Sequence, residues 1–276
     1  MKRPTLKLWM AVPVVLALLV AAPLRADDGV SNTVDPATGL PGVAFDVTPL
    51  PDNDPVYNVL WDLSNGVNSL YVPSARYSDL LALLAANGYV TTTTTAGVDN
   101  IDLSPYDIII VTTMSAWDFS YTAPEVAAIQ DFMSQGGAVL VMGENADCTN
   151  EHINPVTQAF GVTCGLNTID PLDLYFTDFA AHQIFDGVTT IYYRAAGELS
   201  ASDPGVPLAW TDAGELTIAS VGPCRMIVLG DCNFCDNTYL VDVDNEQFVL
   251  NVFDCLATGT SPVEDSTWGT VKAMYR

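Results

Sequence analysis

The sequence predicts an α/β fold: a mostly parallel sheet with helices on both faces, carrying an antiparallel β extension. Three observations carry that expectation. Short runs such as Ile108-Ile109-Ile110-Val111 and Val139-Leu140-Val141-Met142 are wholly apolar, the pattern of strands buried on both faces. Segments with helical spacing alternate with them, and strand–helix–strand alternation favours parallel pairing. Between 172 and 221 the pattern loosens into short β-like runs, as expected of an antiparallel edge.

The first strand is expected over 56–61, and Asp62-Leu63-Ser64-Asn65-Gly66 turns the chain away from it. Residues 74–86 place Tyr77, Leu80, Leu81 and Leu84 at helical spacing, and Asn87-Gly88 supplies the stop. The run 89–95 is rich in β-branched residues and reads as a second strand. A third is expected over 106–112, a helix over 123–134 ending at Gly136-Gly137, and a fourth strand over 138–142. A helix around 154–160 has Pro155 in its first turn. Short strands follow near 172–176, 189–193, 206–210 and 215–221. The run 225–230 returns to the parallel core, and 245–256 forms the closing helix.

Outside this domain, assigned to 55–257, lie three further segments. Residues 1–26 have a basic start (Lys2, Arg3, Lys7), a short apolar run from Leu8 to Leu24, and Ala26 where cleavage would fall. That is the pattern of a secretory signal, too short and Pro-interrupted for a membrane anchor. Residues 27–54 are an Asp-, Pro-, Gly- and Thr-rich N-terminal extension, and 258–276 are a C-terminal linker and tail. The protein is therefore expected to be exported, periplasmic or extracellular, with no membrane span in the mature chain.

Removing 1–26 takes away Lys2, Arg3, Lys7 and Arg25 but no acid, leaving 5 of the 9 bases against all 33 acids, a formal net charge of −28. Such a surface cannot neutralise phosphates, so nucleic acid is not an expected partner. It attracts cations, and it favours solubility in a salty or extracellular setting. The tail holds Lys272 and Arg276, two of those five bases, with Trp268 and Tyr275.

All six cysteines follow the signal segment, and an even count in an exported chain suggests disulfides. Cys224 precedes the strand at 225–230 and Cys255 ends the helix after it. An antiparallel return would bring the two together, so Cys224–Cys255 is the first expected pair. Cys148 and Cys164 flank one helical segment and are a second candidate. Cys232 and Cys235 are left as a local pair.

Two segments echo each other. Val139-Leu140-Val141-Met142-Gly143-Glu144-Asn145 and Ile227-Val228-Leu229-Gly230-Asp231-Cys232-Asn233 each run from apolar strand to Gly, carboxylate and a polar loop. Ligands of open α/β sheets bind beyond the carboxyl ends of strands. The candidate ligand edge is therefore Asp62, Asn65, Glu144, Asn145, Asp147, Asp231 and Asn233, with Asp236 beside them.

Taken in order, several pieces resemble the class I glutamine-amidotransferase-like, flavodoxin-like fold, and more closely a bacterial branch of it found in exported proteins. They are Val59-Leu60-Trp61-Asp62 with Asn65-Gly66, then Tyr106-Asp107-Ile108-Ile109-Ile110-Val111. Glu125-Val126-Ala127-Ala128-Ile129-Gln130-Asp131-Phe132 follows, with Gly136-Gly137 and Val139-Leu140-Val141-Met142-Gly143. Asn154-Pro155 leads to Phe160-Gly161-Val162, and His182-Gln183-Ile184-Phe185-Asp186-Gly187-Val188 is similar to a His-Pro-Ile-x-x-Gly-Val turn of such domains. Val228-Leu229-Gly230-Asp231 and Asn245-Glu246-Gln247-Phe248-Val249-Leu250-Asn251 close the series. The resemblance spans 56–257. It implies a nucleophilic Cys on a sharp turn after a strand and a His oriented by an acid. The turn here reads Gly143-Glu144-Asn145, and neither His152 nor His182 follows the last core strand. The Cys-His-Glu triad is not found.

The same residues suit other chemistries. The oxygen-rich edge fits Ca²⁺ or Mg²⁺, although no EF-hand spacing is present, and no cofactor is expected. The plainer reading is that these side chains cap helices and loop backbones. Cys232-Asn233-Phe234-Cys235 is a redox-motif spacing, but Asp231 and Asp236 flank it and would raise its thiol pKa values. Cys148, Cys232, Cys235 and His152 suit zinc by composition alone. Cys148 and His152, four apart, are a possible nucleophile pair. His182 reads as a turn residue. Trp117, Phe119 and Tyr121 either line a pocket mouth or pack their loop down. The expected function is a non-catalytic binding or interaction module for an unidentified protein or small-molecule ligand. The alternative is a hydrolase-type enzyme using Glu144, Cys148 and Asp231.

Overall fold

The computed structural model describes residues 55–67, 69–112 and 119–259. The signal segment, the N-terminal extension, the tail beyond 259 and Trp117 lie outside the described residues. In chain order the elements begin with β1 (Tyr57–Asp62), α1 (Pro73–Arg76), α2 (Ser78–Ala86), β2 (Tyr89–Thr94) and β3 (Ile108–Thr112). Next come α3 (Ala123–Ser134), β4 (Ala138–Met142), α4 (Asn154–Gln158), β5 (Val162–Thr168), β6 (Asp173–Phe176) and β7 (Asp178–Phe179). The last are β8 (Ile191–Arg194), β9 (Gly197–Ala201), β10 (Gly205–Trp210), β11 (Leu216–Val221), β12 (Met226–Leu229) and α5 (Asn245–Thr258).

The parallel centre runs in the order β2-β1-β3-β4-β12. From β12 the sheet continues antiparallel through β11, β10 and β7. β9 pairs with β11, and β5 pairs with β9. β6 and β8 form a separate antiparallel pair. The expected α/β class, parallel core and antiparallel extension are all present.

Strand periodicity divides the core in two. Trp61, Ile108, Ile110, Leu140, Met142, Ile227 and Leu229 point to one face, where they meet Leu80 and Leu84 of α2 and Phe248, Val249 and Val252 of α5. Leu60, Ile109, Val111, Val139, Val141 and Val228 point to the other, against Ile129 and Phe132 of α3 and Val156 of α4. Helices therefore cover both faces, as the apolar strands require. α3 begins with a capping box between Thr122 and Glu125, which satisfies its first backbone donors and sets where it starts.

Some elements differ from the sequence pattern. The single helix expected over 74–86 is two helices, because the backbone at Tyr77 leaves helical geometry (φ −119, ψ 27). Tyr77 is fully buried with its ring 5.1 Å from that of Trp61. Strands β5, β7 and β9 carry no strong sequence signal. β5 and β9 face the core with only alternate residues, and β7 has two residues, so none presents a continuous apolar run.

Candidate functional site

β4 and β12 lie side by side in parallel register, Val228 beside Val141 and Leu229 beside Met142. The residues after them, Gly143-Glu144 and Gly230-Asp231, therefore leave the sheet together. Glycine is required there by close approach. The Gly143 amide donates to the Leu229 carbonyl at 2.7 Å, and a Cβ on Gly143 would stand 2.9 Å from that oxygen. Gly197 at the start of β9 donates to the Gly230 carbonyl at 2.8 Å, and a Cβ on Gly197 would collide with the Glu144 carbonyl. Asn150 staples the turn, accepting from the Glu144 amide at 3.1 Å and donating to the carbonyls of Glu144 (2.5 Å) and Gly165 (2.6 Å).

This pinch turns the two echoed carboxylates toward each other, with Glu144 at 1% and Asp231 at 0% exposure. Glu144 Oε1 accepts from the Asn145 amide at 3.1 Å and from Asn145 Nδ2 at 2.6 Å. Its Oε2 accepts from Cys232 Sγ at 3.0 Å, Asn233 Nδ2 at 2.8 Å and the Cys232 amide at 3.3 Å. Asp231 accepts from the amides of Arg194 at 2.6 Å and Asn233 at 2.7 Å. Burial raises the pKa of Glu144. Burial and then repulsion from Glu144 hold Asp231 well above the usual carboxylate range. Of the pair, Asp231 is pushed the further up. Buried charges of like sign cannot both ionise cheaply.

The predicted edge does not converge as one set. Glu144, Asn145, Asp231 and Asn233 meet at the ends of β4 and β12. Asp62, at the end of β1, belongs to a second cluster, where the Tyr121 hydroxyl donates to its Oδ2 at 2.8 Å. Burial raises the Asp62 pKa. Asn65 reaches Ser64 and Glu125 instead. Asp147 is exposed, its amide held by Asn145 Oδ1 at 2.7 Å. Asp236 is buried and pairs with Arg76 at 2.7 Å, and it accepts from the amides of Thr238 and Tyr239. Tyr121 packs inward and Phe119, 49% exposed, lies over Gly66, so both pin their loop down.

The cysteines sort in a way the sequence concealed. Cys224 and Cys255 form the expected disulfide. Cys148 and Cys164 do not join each other, because Cys148 packs against the α2/α5 face of the core and Cys164 against the α3/α4 face. The sheet stands between them. Cys232 and Cys235 form no disulfide either. Cys232 turns to Glu144, and Cys235 turns to Met142, Sγ to Sδ 3.9 Å. The zinc set that composition allowed does not assemble either. Among the described residues the clusters of metal-ligating side chains are Glu144/Asp231/Cys232 and His182/Cys224/Cys255. Cys148 and His152 share no helix, since 150–152 is a single 3₁₀ turn after Cys148. Burial, then Glu144 and Asp147, push the Cys148 thiol up to about 12, the reverse of an activated nucleophile.

A domain-of-unknown-function family model, DUF4350, matches residues 77–253, well over half of the 276 residues. The chain belongs to the DUF4350 family. No curated protein matches it. Among solved structures, the mmIFT52 N-terminal domain is similar at 16% identity, covering 75% of this chain and 99% of that one, with a TM-score of 0.61. A ThuA-like protein from Bacteroides uniformis aligns at 16% identity over 76% of this chain and 94% of that one, with a TM-score of 0.50. A glutamine amidotransferase from Thermotoga maritima is 8% identical over 79% and 96%, with a TM-score of 0.43. At such identities the likeness is one of fold, and a fold does not bring its site with it.

In this DUF4350 chain the amidotransferase-like scaffold brings a carboxylate and a thiol together at the ends of β4 and β12. Glu144 occupies the turn where the resemblance called for a cysteine. The thiol comes from the neighbouring strand end, as Cys232, and the two are hydrogen-bonded. That bond has no sequence signal, because Cys232 and Glu144 are 88 residues apart and nothing local links them. Tyr77 and Tyr193, whose rings are buried beside the cluster, likewise carry no mark of it in the sequence. Neither His152 nor His182 joins it. Cys232 is 0% exposed, and burial followed by the charges of Glu144 and Asp231 holds its thiol well above the usual range.

Proposed function

We propose that this DUF4350 chain is a non-catalytic binding or interaction module that works after export. The observation that carries the reading is the state of Glu144. It stands at the nucleophile position of the scaffold, and both of its oxygens are consumed by donors from Asn145, Cys232 and Asn233. A group that must attack a substrate or carry its proton has to reach it. Glu144, Asp231 and Cys232 reach one another, and all three are sealed from solvent. Asn65, Asn145 and Asp147 keep solvent contact at the strand ends, which supports recognition at that edge. The Cys224–Cys255 disulfide supports export, since such bonds persist in oxidising compartments.

The test is a panel of amide, glutamine and ester substrates offered to the wild-type chain, Glu144→Gln and Cys232→Ser. No turnover above buffer is expected from any of the three. Turnover by the wild type that Cys232→Ser abolishes would overturn this reading in favour of the hydrolase alternative.

A further inference from the structure

The closed strand ends hold more than a hydrogen-bond network. One donor atom from each of Glu144, Asp231 and Cys232 lies within 4.8 Å of the others, and all three residues are buried. Beside them are two buried hydroxyls: Tyr77 Oη, which meets the Cys232 thiol, and Tyr193 Oη, which has no hydrogen-bond partner. The Tyr77 hydroxyl faces Cys232, Cys235 and Glu144. The Tyr193 hydroxyl faces Asp231 and Cys235. Buried hydroxyls are normally paired with protein, water or an ion. The Tyr193 hydroxyl, fully buried, unpartnered and directed at Asp231 of this cluster, indicates that something else belongs there.

We propose that Glu144, Asp231 and Cys232 form a buried site for a divalent metal ion of the zinc class, with the Tyr77 and Tyr193 hydroxyls completing its surroundings. The donor set selects the ion. Calcium and magnesium take oxygen ligands throughout. A thiolate with two carboxylates suits a borderline-soft ion that accepts sulfur and oxygen together. Binding replaces the hydrogen bond of the Cys232 thiol to Glu144 with a bond from the sulfur to the ion. Asn145, Asn233 and the Arg194 amide keep their hydrogen bonds to the carboxylates and become the outer shell that orients them. Since the three ligands are sealed, the ion enters as the chain folds. The proposal is independent of the binding reading, because a resident ion of this kind holds the edge together whatever the edge recognises.

The experiment uses the full chain with its disulfide intact. The protein is unfolded in denaturant with chelator, refolded with Co²⁺ as a coloured substitute for Zn²⁺, desalted, and read for bound metal and for the thiolate-to-cobalt charge-transfer band. Natively purified protein is assayed for zinc in parallel, so the answer does not depend on refolding. One ion per chain with a thiolate band is expected. The band should persist in Cys148→Ser, disappear in Cys232→Ser and bleach on adding Zn²⁺. Absence of retained metal from both wild-type preparations would overturn the site, leaving ordered water as the occupant. A band that survives in Cys232→Ser would overturn the ligand assignment.

Discussion

Cys232 Sγ donates to Glu144 Oε2 at 3.0 Å, tying the end of β12 to the end of β4. The two residues lie at the ends of neighbouring parallel strands, 88 positions apart in the chain. Both are buried, and in the metal-free chain burial and the carboxylates around it push the thiol well above its usual range. A thiol in that state is a hydrogen-bond donor and not a nucleophile at neutral pH.

Glu144→Gln is expected to destabilise the fold by about 2–4 kcal/mol, because an amide nitrogen replaces an oxygen that only accepts, and buried donors are left facing a donor. Cys232→Ala should cost about 1–2 kcal/mol through loss of one donor to a charged acceptor. Cys232→Ser should cost less than Cys232→Ala, since its hydroxyl keeps the bond. Urea midpoints of the three variants check the order, and a Cys232→Ser as unstable as Cys232→Ala would contradict it.

In the metal-free chain, prepared with chelator, the acid pair makes stability depend on pH. An unfolded Asp loses its proton near pH ~4, whereas folded Asp231 keeps its proton well above that. Over that interval the folded chain binds more protons than the unfolded chain. The contribution of Asp231 is then full below about pH 4 and declines as the pH rises toward the raised Asp231 value. General repulsion among the 33 acids acts in the same direction, so the wild type must be compared with Asp231→Asn. The variant should show the shallower decline of unfolding midpoint with pH. Parallel profiles would remove Asp231 as the cause.

Thiol labelling with mass spectrometry should find two cysteines, Cys224 and Cys255, protected until reduction. Cys164, Cys232 and Cys235 should label only after unfolding, because all three are buried. Cys148, partly accessible but with its thiol pushed up to about 12, should label slowly at neutral pH and faster as pH rises. Removing the disulfide as a Cys224→Ser/Cys255→Ser pair should cost about 2–4 kcal/mol, as cross-links closing loops of this kind do.

Gly197→Ala tests the pinch itself. Its Cβ would run into the Glu144 carbonyl, a backbone oxygen that cannot swing aside as a flexible side chain would. Overpacking of that kind costs about 1–3 kcal/mol. A thermal midpoint equal to wild type would show that the strand ends are looser than the packing implies.

Much of the scaffold is legible along the chain. α3 and β4 fall at 123–134 and 138–142, where Thr122, Glu125, Gly136-Gly137 and the run Ala138–Met142 place them by local rules of capping and period. Cys224–Cys255 is legible because a strand followed by an antiparallel helix returns to its starting point. Cys148 and Cys164 mislead because proximity in sequence says nothing about which side of a sheet a residue occupies. Asp62 and Asn65 share the strand-end pattern with Glu144 and Asp231, yet two strand positions separate β1 from β4, with β3 between them. The pattern locates an edge without saying which of its carboxylates touch.

Composition and short-range pattern suffice for the α/β class, the parallel order of apolar strands and the acidic character of the chain. Each follows from residue counts or from periods of a few residues. The packed chain alone reveals that Glu144, Asp231 and Cys232 share one sealed cluster, and that Cys232 serves a carboxylate and not a disulfide. Those facts depend on the register between β4 and β12 and on three glycines, Gly143, Gly197 and Gly230, that let separate segments close to backbone contact. No local pattern encodes a bond made across 88 residues.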